Sequence, residues 1–214
     1  MMKNSKKISY LFAHGAGAPK NSVWMNSITK LIEKKSNHQI KVIRFNFPYM
    51  EKSQRENIKL PPDRMSKLLE HWEKMILKEF KACDYLFIGG KSMGGRAATM
   101  IDFENIEAEI SGIINFGFPF HAPGKLPGDR IYHLENIKIP CLINQGEIDS
   151  MGTKLEISKY KLSKKIILKF LPEGNHDLKP RAKSGFTLEE NQDIAVQNLI
   201  NFISKITKKN FNLP

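Results

Sequence analysis

Six short β-type runs separated by longer stretches of helical periodicity leave few folds open to this 214-residue chain. The runs are ISYLFA (8–13), IKVIRFN (40–46), DYLFIGG (84–90), GIINFG (112–117), PCLINQG (140–146) and KIILKFL (165–171). Helical patterns fill the gaps. Val23, Met25, Ile28, Leu31 and Ile32 recur at helical spacing over 22–35, and Met65, Leu68, Leu69, Trp72, Met75 and Ile76 do so over 64–81. A third helix is expected from Met93, a short one near 153–163 and a last one over 188–207, with Asp63 as N-cap of the second. Strand alternating with helix predicts an α/β fold, a mostly parallel sheet of about six strands with helices on both faces. One domain over 1–214 accommodates it, burying roughly 70% of the unfolded surface. The Met, Trp and Leu stripe of the second helix is expected to pack on the sheet.

The stretch YLFIGGKSMGGRAATM (85–100) admits two incompatible readings. GKS ends the phosphate-binding pattern G-x-x-x-x-G-K-[ST], but that pattern needs a glycine five residues before Gly90, where Tyr85 stands. It also needs a loop of free N–H groups where this chain has a strand. The other reading is G-x-S-x-G, a strand entering a sharp turn that leaves room only for glycine two residues either side of the serine. Gly90 and Gly94 flank Ser92, and GRAATM supplies small residues for a helix lying close to the sheet. Ser92 is therefore the candidate nucleophile.

A serine needs a base, an orienting acid and donors for the oxyanion. After the run ending at Gly146 comes EIDSMG, which offers Asp149 as the acid and Glu147 as its rival, with Asp149 preferred. After the run ending at Leu171 comes PEGNHDLKP, whose His176 is the candidate base. Oxyanion donors are expected from the backbone N–H of Met93 and, in the loop HGAGAP (14–19), of Ala16. His14 is then expected to fix that loop. His38, His71, His121 and His133 show no metal-ligand spacing, and no metal or cofactor is implied.

With those segments in place the sequence resembles the α/β-hydrolase superfamily. More narrowly it is similar to a group of small predicted hydrolases whose eukaryotic relatives include testis-expressed proteins and a histone-acetyltransferase complex subunit. The likeness rests on AHGAGAP (13–19), FNFPYM (45–50), PPDR (61–64), GKSMGGR (90–96), FPFHAPGK (118–125), QGEIDSMG (145–152) and GNHDLKPRAKSG (174–185), in order along nearly the whole chain. It implies a triad of Ser92, Asp149 and His176. Similar proteins tend to carry Arg-Asp-Pro-Phe around the acid; here Ile148, Asp149, Ser150 and Met151 stand there, which keeps the acid and alters the packing beside it.

FPYM and FPFHAPGK read as loops that follow strands, so they belong at the edge where such sheets bind ligands. Tyr49, Met50, Phe118, Phe120 and His121 are candidates to line a substrate pocket, or else they close the end of the core. Asp63, Arg64 and Arg181 either anchor an anionic group or brace loops with ion pairs. Lys91, beside the nucleophile, has no role legible at this level. About 20 residues separate the fourth and fifth runs, so little or no cap is expected.

The net charge of +12, from 34 basic against 22 acidic residues, raises nucleic acid or an anionic membrane as partner. Only six of the basic residues are arginine, and the lysines are spread along the chain, clustering modestly at Lys3, Lys6, Lys7 and at Lys205, Lys208, Lys209. A solvated surface is the reading adopted over a patch that binds nucleic acid or membrane. Cys83 and Cys141 form no C-x-x-C and lie in or beside apolar runs, as expected of reduced thiols in the cytoplasm. The basic start followed by Ile8–Ala13 mimics a secretory leader, but His14 ends the apolar stretch short of the ~7–15 residues needed. No run approaches the ~20 apolar residues of a membrane span. The expectation is a cytoplasmic serine hydrolase cleaving a small or medium carboxylic ester through an acyl-enzyme. The alternative is a hydrolase-fold interaction protein without turnover.

Overall fold

The computed structural model describes residues 6–125 and 128–211. Lys3 of the N-terminal basic cluster lies outside them. Six parallel strands form one open sheet: β1 (Ile8–Ala13), β2 (Ile40–Phe45), β3 (Tyr85–Lys91), β4 (Gly112–Phe116), β5 (Cys141–Gly146) and β6 (Ile166–Leu171), in the order β2-β1-β3-β4-β5-β6. Burial follows position. All six residues of β1 and all of β4 and β5 are buried, as strands covered on both faces must be, whereas the edge strand β6 alternates half-buried with exposed.

The described residues also form six α-helices: α1 (Val23–Lys35), α2 (Pro48–Glu56), α3 (Met65–Glu79), α4 (Met93–Ala98), α5 (Lys154–Ile157) and α6 (Leu188–Thr207). The alternating side chains of β1 split between two cores. Ile8, Tyr10 and Phe12 meet Met25, Ile28 and Ile32 of α1 and Ala195, Val196, Leu199 and Ile203 of α6 on one face. Leu11 and Ala13 meet Leu68, Trp72 and Ile76 of α3 and Ala97 and Ala98 of α4 on the other. Local chemistry starts the helices where the sequence signals it. Ser22 caps α1, and Thr187 with Glu190 forms a reciprocal capping box at α6, as Thr153 with Glu156 does at α5.

Three expectations change. The segment after β2, read as a loop, is the helix α2, with Pro48 at its first turn and only Tyr49 and Met50 buried. Asp63 does not cap α3, whose N-cap is Arg64 without a side-chain bond; its carboxylate instead accepts the backbone N–H of Tyr49 at 3.1 Å, at the start of α2. The helix expected over 153–163 is the four-residue α5.

The register aligns the strand ends that matter. Ala13 lies opposite Gly90, Lys91 opposite Phe116, and Gly146 opposite Leu171, so the loops after β1, β3, β5 and β6 leave the same edge. The chain passes from β1 outward to β2 and returns to β3 on the far side, and α1 and α4 leave toward opposite faces. That reversal opens a crevice at the strand carboxyl ends, where such sheets hold ligands. Between β4 and β5 the described residues hold only two short 3-10 turns, Gly128–Arg130 and Tyr132–Asn136.

Candidate active site

Ser92 stands between β3 and α4 with φ 51° and ψ −119°, a conformation that L-residues adopt only under strain. The turn is tight enough to exclude neighbouring side chains. A Cβ on Gly90 would lie 2.6 Å from the Ala13 carbonyl oxygen, and one on Gly94 would lie 2.5 Å from that of His14. The two glycines therefore let α4 and the loop after β1 close against the serine.

His176, in the loop after β6, places Nε2 2.8 Å from Ser92 Oγ and Nδ1 2.8 Å from Asp149 Oδ2. Asp149 is wholly buried, and its other bonds fix the proton pattern. Its Oδ1 accepts from Met151 N at 2.8 Å and its Oδ2 also accepts from Gln145 Nε2 at 2.8 Å. A carboxylate only accepts, so the proton between His176 and Asp149 belongs to Nδ1, leaving the Nε2 lone pair for the serine hydroxyl. Glu147, the rival acid, is engaged elsewhere: it accepts from Lys154 at 2.8 Å and from the backbone N–H of Glu173 at 3.2 Å.

The loop after β1 is held from below by His14, which is fully buried. Its Nε2 accepts the Phe47 N–H at 3.1 Å, so Nδ1 carries the proton and donates to the Gly15 carbonyl at 2.6 Å. Burial pushes the His14 pKa down, keeping the ring neutral in that role. The Tyr49 hydroxyl donates to the Ala16 carbonyl at 2.9 Å. Within the described residues the N–H groups of Ala16 and Met93 make no hydrogen bond.

A cleft of about 370 Å³ opens over Ser92 and His176, walled by Gly15, Ala16, Trp24, Met25 and Met151. None of the five residues expected to line a pocket borders this cleft, although Tyr49 and Met50 border neighbouring hollows, Tyr49 beside Pro62 and Arg64 and Met50 beside Ala16 and Gly17. Phe118 and Phe120 are fully buried in the core and meet edge to face at 4.9 Å, and Tyr49 and Met50 belong to the same core. His121 is buried with Nδ1 2.9 Å from the Ala122 carbonyl. They close the end of the core, because α2 and the loop after β4 fold inward beneath the site. Trp24, Met25 and Met151 were not anticipated as its walls, nor Gln145 as a partner of the acid. Gln145 Oε1 accepts from Phe118 N at 2.7 Å while its Nε2 also lies 3.1 Å from the Gly152 carbonyl, so one amide ties three segments together. Arg181 pairs with Glu173, and Asp63 with Lys67 at 3.4 Å, so both brace loops. A larger groove of about 580 Å³, between Leu31 and Ile194, holds no nucleophile with a base beside it.

A family model described as an alpha/beta hydrolase domain matches residues 6–204. Among solved structures, Est1E from Butyrivibrio proteoclasticus with ferulic acid bound superposes with a TM-score of 0.66 at 13% identity, covering 95% of this chain and 93% of that one. A monoacylglycerol lipase from Paleococcus ferrophilus gives 0.65 at 14% identity, over 91% and 94%. A dienelactone hydrolase from Anabaena variabilis gives 0.61 at 18% identity, over 91% and 86%. At these identities the structural likeness speaks for the fold.

Proposed function

Because the chain belongs to the alpha/beta hydrolase family, we propose that it is a serine hydrolase acting on an acyl bond, with small or medium carboxylic esters as substrates. The observation that carries this reading is the continuous line from Ser92 Oγ through the His176 ring to buried Asp149, with 2.8 Å at each junction. Ser92 attacks the acyl carbonyl while His176 Nε2 takes its proton. Asp149 holds the ring and stabilises the imidazolium. The Ala16 and Met93 N–H groups receive the oxyanion. His176 then protonates the departing alcohol, and the same base activates water to clear the acyl-enzyme.

The cleft of about 370 Å³, and a β4–β5 connection whose described residues build no lid, suit compact soluble esters. The monoacylglycerol lipase and the dienelactone hydrolase among its structural neighbours support acyl chemistry of this class. The narrower kinship with the small predicted-hydrolase group rests on the seven motifs quoted above. Free Cys83 and Cys141 support a reducing compartment, and we place the protein in the cytoplasm as a single domain. No helix among the described residues is long and apolar enough to cross a membrane.

Fluorophosphonate labelling with mass spectrometry tests the proposal. An adduct on Ser92, lost in Ser92→Ala and in His176→Ala, is expected, with kcat on short-chain esters falling roughly 10⁴- to 10⁶-fold in Ser92→Ala. Absence of labelling in folded wild-type protein would overturn it in favour of an interaction protein built on this fold.

A further inference from the structure

Lys91 is the last residue of β3, and its side chain folds inward, leaving the residue 7% exposed. Its Nζ donates to the backbone carbonyl of His176 at 2.6 Å and lies 3.1 Å from the Asp177 carboxylate. It also sits 5.5 Å from the centre of the Trp24 ring. Trp24 Nε1 donates to the carbonyl of Asp177 at 2.9 Å, and Asn191 Nδ2 to that of Leu178 at 2.8 Å. Three consecutive carbonyls of the histidine loop are thus taken by side chains from β3, α1 and α6. Gly117, at φ 58°, makes the space: a Cβ there would lie 2.3 Å from the His176 carbonyl oxygen and 3.1 Å from Lys91 Nζ.

Burying an ammonium is unfavourable, and burial pushes the Lys91 pKa down while Asp177 opposes the shift. A methionine of similar length would fill the strand end without that penalty. What it would lack is a charge-assisted donor aimed at the peptide that carries the candidate base. We propose that Lys91, assisted by Trp24, is a positioning residue: it locks the backbone of His176 so that the imidazole bridges Asp149 and Ser92. The inference rests on the serine-hydrolase reading. A loop histidine with both ring nitrogens committed at 2.8 Å tolerates little movement, and a misplacement of about 1 Å can lower a rate about 100-fold.

The test compares wild type, Lys91→Met, Lys91→Arg and Trp24→Phe. The measurements are the rate of fluorophosphonate labelling, kcat and KM on a short-chain aryl ester, and the hydrogen-bonded imidazole N–H of His176 by proton NMR. Folded Lys91→Met is expected to label and turn over about 10- to 100-fold more slowly with KM little changed, and to lose the N–H resonance to exchange. Lys91→Arg, which keeps a charged donor, recovers part of the rate. Trp24→Phe keeps an aromatic ring, though a smaller one, and loses the donor; its rate falls less far. A folded Lys91→Met with wild-type rate and resonance overturns the proposal. Should Lys91→Met not fold, wild-type behaviour of Trp24→Phe overturns it equally. Should wild type itself not label, the hydrolase reading fails instead. The resonance needs only His176 and Asp149, so an unchanged signal in Lys91→Met would still refute the positioning role.

Discussion

The phenol of Tyr49 and the carbonyl of Ala16 are joined by a 2.9 Å hydrogen bond that ties α2 to the loop after β1. Burial raises the Tyr49 pKa well above its ordinary value, so the hydroxyl stays a donor at any working pH. The bond fixes the carbonyl side of Ala16, the residue whose N–H is proposed to receive the oxyanion. Tyr49→Phe is expected to lower kcat about three- to tenfold with little change in KM, and stability by about 1 kcal/mol. Steady-state kinetics with urea unfolding would read both, and unchanged kcat would remove Tyr49 from any part in the site.

Gln145 is fully buried, and its amide serves Phe118, Asp149 and Gly152 at once. Gln145→Leu would leave the Phe118 N–H, the Gly152 carbonyl and a lone pair of buried Asp149 unmatched. A loss of about 2–4 kcal/mol is expected from these groups, together with slower labelling of Ser92. Denaturant titration showing less than about 1 kcal/mol would mean that the loops relax without it.

The strain at Ser92 predicts a trade between stability and activity. A side chain held at φ 51° and ψ −119° costs of order 1–3 kcal/mol, most of which glycine escapes. Ser92→Gly should therefore be inactive yet melt about 2–4 °C above Ser92→Ala, equivalent to about 1 kcal/mol for a chain of this size. Equal melting temperatures would show the turn to be unstrained.

Acid should weaken the fold well before the carboxylates titrate. Burial lowers the pKa of His14, and burial with a neighbouring cation lowers those of His71 (Lys74) and His133 (Arg96), the last to about 4. In the unfolded chain each returns to its ordinary value near 6.5 and binds protons that the native state refuses. Stability is therefore full above pH 6.5 and declines as pH falls from there toward about 4. Unfolding free energy measured across that window should slope upward with pH, and His133→Gln should flatten it. A slope unchanged in His133→Gln would contradict the buried, neutral assignment.

The strand pattern, the G-x-S-x-G turn and the order Ser92, Asp149, His176 were legible because each depends on local chemistry: apolar runs, glycines around a sharp turn, and loops following strands. The helix α2 was not, since seven of its nine residues face outward or lie half-buried and leave no apolar period to read. Asp63 was assigned to the nearest helix, yet it serves Tyr49, fourteen positions earlier in the chain.

The sequence by itself determined the sheet, the order of its loops and the three residues brought to one edge. Only the tertiary structure decided how they are held. Lys91, Trp24 and Asn191 are remote from one another in sequence and converge on three successive carbonyls. The aromatics expected around a substrate turned inward to fill the core beneath it. Backbone periodicity is written within a few residues, whereas the direction in which a long side chain spends its hydrogen bonds depends on which distant backbone groups folding leaves within reach.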